Sequence, residues 1–157
     1  MDEVTIVVEG AEVKPTITIS TSATILQLKG KIEGYTGVCV SRQTLWLRTL
    51  ELKDSNFIDY YGLTDIVPIR LVTQPLPTEL KLDITVSAAA LGYQLKFQVK
   101  ETDTVYQLKQ KIEETWGVSP EDISLWHLAV EMKDDHHLSN YYIHEGSQVN
   151  LRTPMLC

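Results

Sequence analysis

His136-His137, with His144 downstream and Asp134-Asp135 just ahead, forms the densest set of metal-ligating side chains in the sequence. Structural zinc needs four convergent ligands, and adjacent histidines on a loop point in different directions. No cysteine or further histidine completes a tetrahedral set, so the segment reads as a polar surface loop. Cys39 follows Gly37 with Arg42 close by, but a cysteine nucleophile needs a positioned base and the first half of the chain contains no histidine. Glu113-Glu114 and Asp134-Asp135 fall on expected solvated faces rather than in a buried dyad. The expectation is therefore no catalysis, no metal and no cofactor. Tryptophan points instead to the chemistry of recognition. Trp46 follows Leu45 and Trp126 follows Leu125; strand alternation that turns the leucines inward turns the tryptophans outward. An outward Trp is an interface anchor, because the residue is enriched at binding hot spots. The competing uses are core packing, or the two Trp faces meeting each other within the chain or in a homodimer.

Both tryptophans belong to a repeat. Thr24-Ile25-Leu26-Gln27-Leu28-Lys29-Gly30-Lys31-Ile32-Glu33 recurs as Thr104-Val105-Tyr106-Gln107-Leu108-Lys109-Gln110-Lys111-Ile112-Glu113, an offset of 80 residues. The offset holds through Gly37/Gly117, Leu45-Trp46/Leu125-Trp126, Lys53-Asp54/Lys133-Asp134, Tyr61/Tyr141 and Leu71/Leu151. A unit of this length is too long for a solenoid element and long enough to fold alone.

Each copy opens with a β-hairpin. Val4–Glu9 and Lys14–Ser20 alternate around the turn Gly10-Ala11-Glu12; Leu82, Ile84, Val86 and Leu95, Phe97, Val99 do so around a turn from Ala88 to Gly92. Thr24-x-x-Gln27 and Thr104-x-x-Gln107 are capping boxes. Behind them Ile25, Leu28, Ile32 and Val105, Leu108, Ile112 form the apolar stripe of an amphipathic helix, ended by Gly37 or Gly117. A strand over Gln43–Arg48 (Ile123–Leu128), a short segment near Leu52 (Met132), a turn holding Tyr61 (Tyr141) and a last strand over Ile66–Val72 (Gln148–Arg152) follow. One helix must then cover one face of a mixed sheet, an α+β arrangement. The expected domains are residues 2–75 and 79–157, and 76–78 complete a Pro-containing, semi-stiff linker.

With those motifs in view, each half resembles ubiquitin. Thr24-Ile25…Lys31-Ile32 and Asp103-Thr104-Val105…Lys111-Ile112 match its helix start. Gly117-Val118-Ser119-Pro120-Glu121-Asp122 resembles its Gly-Ile-Pro-Pro-Asp turn, and Leu138-Ser139-Asn140-Tyr141-Tyr142-Ile143 its Leu-Ser-Asp-Tyr-Asn-Ile loop. Ile58-Asp59-Tyr60-Tyr61-Gly62-Leu63 is the looser first copy. The match covers nearly the whole chain in two rows, with one-residue differences in each hairpin turn. The resemblance implies two tandem β-grasp domains.

It also implies where to look for function. Conjugated relatives of ubiquitin end in Gly-Gly, a side-chain-free tail whose carboxylate reacts. The first copy instead runs Arg70-Leu71-Val72-Thr73-Gln74-Pro75, and the sequence given ends Leu151-Arg152-Thr153-Pro154-Met155-Leu156-Cys157, with Cys157 on the penultimate glycine position. The expectation is a chain that is not conjugated as written. At ubiquitin's Leu/Ile/Val patch, the central Ile position holds Trp46 and Trp126. The Val position holds Val72 and Arg152, and the neighbouring His position Arg70 and Asn150. These six are the candidate protein-binding residues. Lys29, Lys31, Lys109 and Lys111 are retained as possible ubiquitin acceptors, read as solvated lysines of a helix face.

The formal net charge is −7, of which −2 lies up to Thr78 and −5 from Glu79 onward. With no Lys/Arg cluster in the sequence, neither nucleic acid nor anionic membrane is an expected partner. No apolar run reaches membrane-spanning length. Cys39 and Cys157 lack counterparts in the other copy, which argues against a disulfide framework and for the cytoplasm or nucleus. The expected function is a monomeric, non-covalent interaction module docking ubiquitin receptors, proteasome subunits or ligases of the ubiquitin–proteasome system. The alternative is a tandem covalent modifier, or a fragment of a longer polyubiquitin-like protein whose Gly-Gly lies beyond Cys157. An apolar receptor should prefer the first copy and a basic partner the second.

Overall fold

The computed structural model describes residues 2–63, 65–88 and 92–153. Residues 89–91 of the second hairpin turn and the tail Pro154-Met155-Leu156-Cys157, including the cysteine at the glycine position, lie outside the described residues. The chain divides into two compact units, Met1–Pro75 and Leu76–Cys157.

In the first unit, strands β1 (Glu3–Glu9) and β2 (Thr16–Ser20) pair antiparallel, with Val4 opposite Ile19 and Ile6 opposite Ile17. β2 begins at Thr16, one residue after Pro15, whose ring nitrogen has no proton to donate to a ladder. Helix α1 (Ile25–Thr36) follows, then β3 (Gln43–Leu47), β4 (Leu50–Glu51) and β5 (Ile66–Thr73). β5 lies parallel to β1 and antiparallel to β3, giving the order β2-β1-β5-β3-β4. The second unit repeats this with β6 (Leu82–Ala88), β7 (Tyr93–Val99), α2 (Val105–Trp116), β8 (Ser124–His127), β9 (Val130–Met132) and β10 (Gln148–Arg152), in the order β7-β6-β10-β8-β9. Both are mixed five-stranded sheets with one α-helix, the α+β tandem β-grasp arrangement. The strands after each helix stop short of their expected ends. Arg48 in one unit, and Leu128 and Ala129 in the other, enter the left-handed region to turn into the next strand.

Both helices start as the sequence dictates. The Thr24 hydroxyl accepts the Gln27 N–H at 3.2 Å, while the Gln27 side-chain oxygen accepts the Thr24 N–H at 2.8 Å; Thr104 and Gln107 do the same. Gly37 and Gly117 end the helices at φ 75° and 72°. Ile25, Leu28 and Ile32, like Val105, Leu108 and Ile112, are completely buried. Burying each contributes on the order of 2 kcal/mol.

A second repeated device ties each helix to the loop after the short strand. Lys29 Nζ lies 2.6 Å from Asp54 Oδ1, and Lys109 Nζ 2.6 Å from Asp134 Oδ1. Both lysines are buried, which corrects their reading as solvated helix-face residues. The carboxylates compensate the cost of drawing the amines under the loop. Lys31 keeps the exposed position. Tyr61 and Tyr141 brace the same loops: the Tyr61 hydroxyl accepts the Lys53 N–H at 2.8 Å and the Tyr141 hydroxyl the Lys133 N–H at 2.9 Å.

The hairpins differ. Pairing Ile6 with Ile17 but Ile84 with Phe97 makes the second hairpin two residues longer beyond that pair, and its ladder continues to Ala88 opposite Tyr93. Gly10, at φ 136°, lies so close to β5 that a Cβ there would sit 2.3 Å from the Leu71 carbonyl oxygen. At the far end of α2, Trp116 packs against Tyr93 and Phe97 of β7, ring centroids 6.1 and 6.4 Å away. Its counterpart Thr36 is buried and donates its hydroxyl to the Ile32 carbonyl.

Candidate protein-binding faces

The helix covers one face of each sheet, and the tryptophans stand on the other. In β3, Leu45 is completely buried and Trp46 half-buried. β5 alternates exposed Ile66, Pro68, Arg70 and Val72 with buried Val67, Ile69 and Leu71. Register brings these together: Trp46 lies opposite Arg70 and Thr44 opposite Val72. Arg70 also pairs with Glu9, and Trp46 with Glu51, so one row across the sheet reads Glu9, Arg70, Trp46, Glu51. The face is an indole beside a strand whose exposed residues are apolar except for Arg70, with a carboxylate at either end of the row.

The second unit places Trp126 at the same point, half-buried beside wholly buried Leu125. It lies opposite Asn150 in β10 and Glu131 in β9. Here β10 exposes Gln148, Asn150 and Arg152, with no apolar side chain among them. The Arg152 guanidinium carbon is 4.4 Å from the centroid of the Trp126 ring, while the indole N–H donates to Ser124 Oγ at 3.1 Å. Trp126 is thus covered by a cation and fixed at its edge. The six candidates form one cluster in each unit, Trp46-Arg70-Val72 and Trp126-Asn150-Arg152, with the same layout and different chemistry.

The histidines go elsewhere. His136 Nδ1 lies 2.8 Å from the Tyr141 hydroxyl, His137 Nδ1 2.9 Å from the Thr102 carbonyl oxygen, and His144 Nδ1 2.8 Å from the Tyr142 carbonyl oxygen. Among the described residues no three His, Cys, Asp or Glu side chains gather as a metal-binding set.

His127 carries no motif, yet it is a buried ionisable group adjacent to Trp126 in β8. Strand alternation is the signal that places it, since it shares the inward side of Leu125. Its Nδ1–H donates to the Tyr141 carbonyl at 2.8 Å, and the His144 ring lies 6.3 Å away. Burial pushes the His127 pKa below its ordinary value; the bond to Tyr141 opposes the shift and His144 adds to it. Tyr142 is buried too, which raises its pKa, and its hydroxyl has no hydrogen-bond partner.

The sequence profile of the ubiquitin family matches this chain twice, over residues 6–76 and 84–155. The first match covers most of the first compact unit and one residue beyond it, and the second lies within the second unit.

Proposed function

The chain belongs to the ubiquitin family, and from that premise we propose that it is a non-catalytic, non-covalent docking protein of the ubiquitin system. It recruits proteins of the ubiquitin–proteasome pathway through the outer faces of its two sheets and acts in the cytoplasm or nucleus as a monomer. One observation carries the reading: both sheets present a tryptophan at the same outer position, flanked by a strand whose exposed residues differ between the units. A large amphipathic ring at the centre of a sheet face is the kind of residue on which binding energy concentrates. The first face offers Ile66, Pro68 and Val72 and takes an apolar receptor surface. The second offers Arg152 and Asn150 and takes a polar one, since desolvating a guanidinium against an apolar surface costs free energy.

The test is affinity capture of partners by the full chain, compared with Trp46→Ala, Trp126→Ala and the double variant. Loss of distinct partner sets in the two single variants is the expected result, and unchanged sets remove the Trp faces from the reading. Incubating the chain with ubiquitin-family activating enzymes and ATP addresses the covalent alternative. A thioester would replace docking by conjugation as the main activity.

A further inference from the structure

The second unit carries a net −5, yet three of its seven cationic residues line one cleft. The cleft, about 280 Å³, lies between the edge strand β7 and the start of α2, away from the Trp126 face. Lys81, just ahead of β6, Lys100, just after β7, and Lys111 of α2 reach it, with Gln98 and Gln107 offering polar side chains between them. Lys111 Nζ donates to the Gln98 carbonyl at 2.6 Å, which holds the amine over the edge of the strand and leaves two further N–H groups. Asp103 also lines the cleft, but its carboxylate accepts the Lys100 backbone N–H at 2.9 Å and so closes its own turn. Lys100 Nζ lies 3.6 Å from Glu79, whose side chain is 89% exposed. Such a loose surface pair is held weakly and yields to a better-placed anion.

The first unit supplies the internal comparison. Strand pairing makes Glu3 the counterpart of Lys81 and Ser20 that of Lys100, and Lys31 alone matches a cleft lysine. The Ser20 hydroxyl is engaged locally with Ser22 at 2.8 Å. The positive cleft is therefore a property of the second copy and not of the shared fold.

We propose that this cleft is a docking site for a short acidic segment of a partner protein, its carboxylates taken by Lys81, Lys100 and Lys111. Against the single carboxylate of Asp103, three ammonium groups leave this small concave site net positive, which suits a few clustered carboxylates. A long polyanion such as nucleic acid fits worse, because its charges extend past the cleft over a unit carrying twelve Asp and Glu. The site is separate from the Trp126 face of its own unit, so it adds a second specificity to the same domain.

The experiment titrates a hexaglutamate peptide into the full chain and follows backbone amide shifts at low and moderate salt. The expected shifts cluster at Lys81, Gln98–Lys100, Asp103 and Lys111, and affinity falls several-fold as salt rises. The variant K81E/K100S installs the first unit's residues and should weaken binding about tenfold or more, with the remaining amide spectrum unchanged. The reciprocal E3K/S20K should create binding at the first unit. Shifts centred elsewhere, an unaltered affinity in K81E/K100S, or tighter binding at the cleft by an oligothymidylate of equal charge would each overturn the proposal.

Discussion

Arg152 stacks on Trp126, its guanidinium carbon 4.4 Å from the ring centroid, where the first unit sets Val72 diagonally beside Trp46. The same indole is thereby capped in one copy and left beside an aliphatic side chain in the other. An exposed cation–π contact is worth only about 0.5–1 kcal/mol, so its chief effect is on what the face presents rather than on stability.

Replacing Arg152 with Val should make the second face resemble the first. Urea unfolding of the second unit should move by less than about 1 kcal/mol. Trp126 fluorescence should change, and affinity for a partner of the first face should rise. An unchanged emission spectrum would mean that the cation does not sit over the ring in solution.

The ion pairs beneath the helices are asymmetric, with a buried amine and a carboxylate about half exposed. Asp134→Asn should therefore cost more than Lys109→Met. The first strands a buried charge, about 2–4 kcal/mol, while the second leaves a carboxylate that water can solvate, about 1 kcal/mol. Chemical unfolding of the two variants checks the order, and the reverse order would contradict the burial of Lys109. A water-soluble acetylating reagent should also modify Lys31 well before Lys29.

Protonating His127 inside the fold is unfavourable, so its folded pKa lies below the unfolded value of about 6.5. Its neutral form contributes fully above that value. As pH falls below it, the unfolded chain takes up the proton first, and the contribution is lost progressively down through the folded pKa. Melting temperature followed from pH 7.5 to 5 should decline for the wild type. The decline should be shallower in His127→Leu, which carries the residue found at the matching position, Leu47. Equal slopes would assign the pH dependence to other groups.

Gly10→Ala should destabilise the first unit by about 2 kcal/mol or more, because it adds a Cβ against the Leu71 carbonyl at a φ that L residues avoid. Amide exchange should quicken along β1 and β5. Normal protection there would show that the hairpin turn can lift off the sheet at little cost.

Features set by neighbours along the chain were legible in the sequence. The capping boxes need only Thr and Gln three residues apart, and the outward tryptophans need only the period of a strand beside Leu45 and Leu125. The unequal hairpins also follow from spacing alone. The burial of Lys29 and Lys109 depends on Asp54 and Asp134, which only the folded loop brings under the helix, so a helix-face lysine gives no local hint of it. The cap on Trp126 comes from a strand far along the chain, and the lysine cleft from three separate elements. Tyr142 adopts the left-handed conformation that Gly62 takes in the first copy, at φ 59° against 66°, and nothing in the identity of a tyrosine announces that.

The end of the first copy is pinned to the body of its own domain. β5 continues to Thr73, and Gln74 is then bonded on both sides: its N–H donates to the Arg42 carbonyl at 2.8 Å, and its own carbonyl accepts Arg42 Nε–H at 2.8 Å. A protease must draw its substrate into an extended, unpaired conformation, and here it would first have to strip both bonds and fray a strand end. Cleavage at the end of the first copy, up to Gln74, is therefore disfavoured. Because both copies belong to one chain, they are made in equal number, and each face is presented with the other already covalently attached.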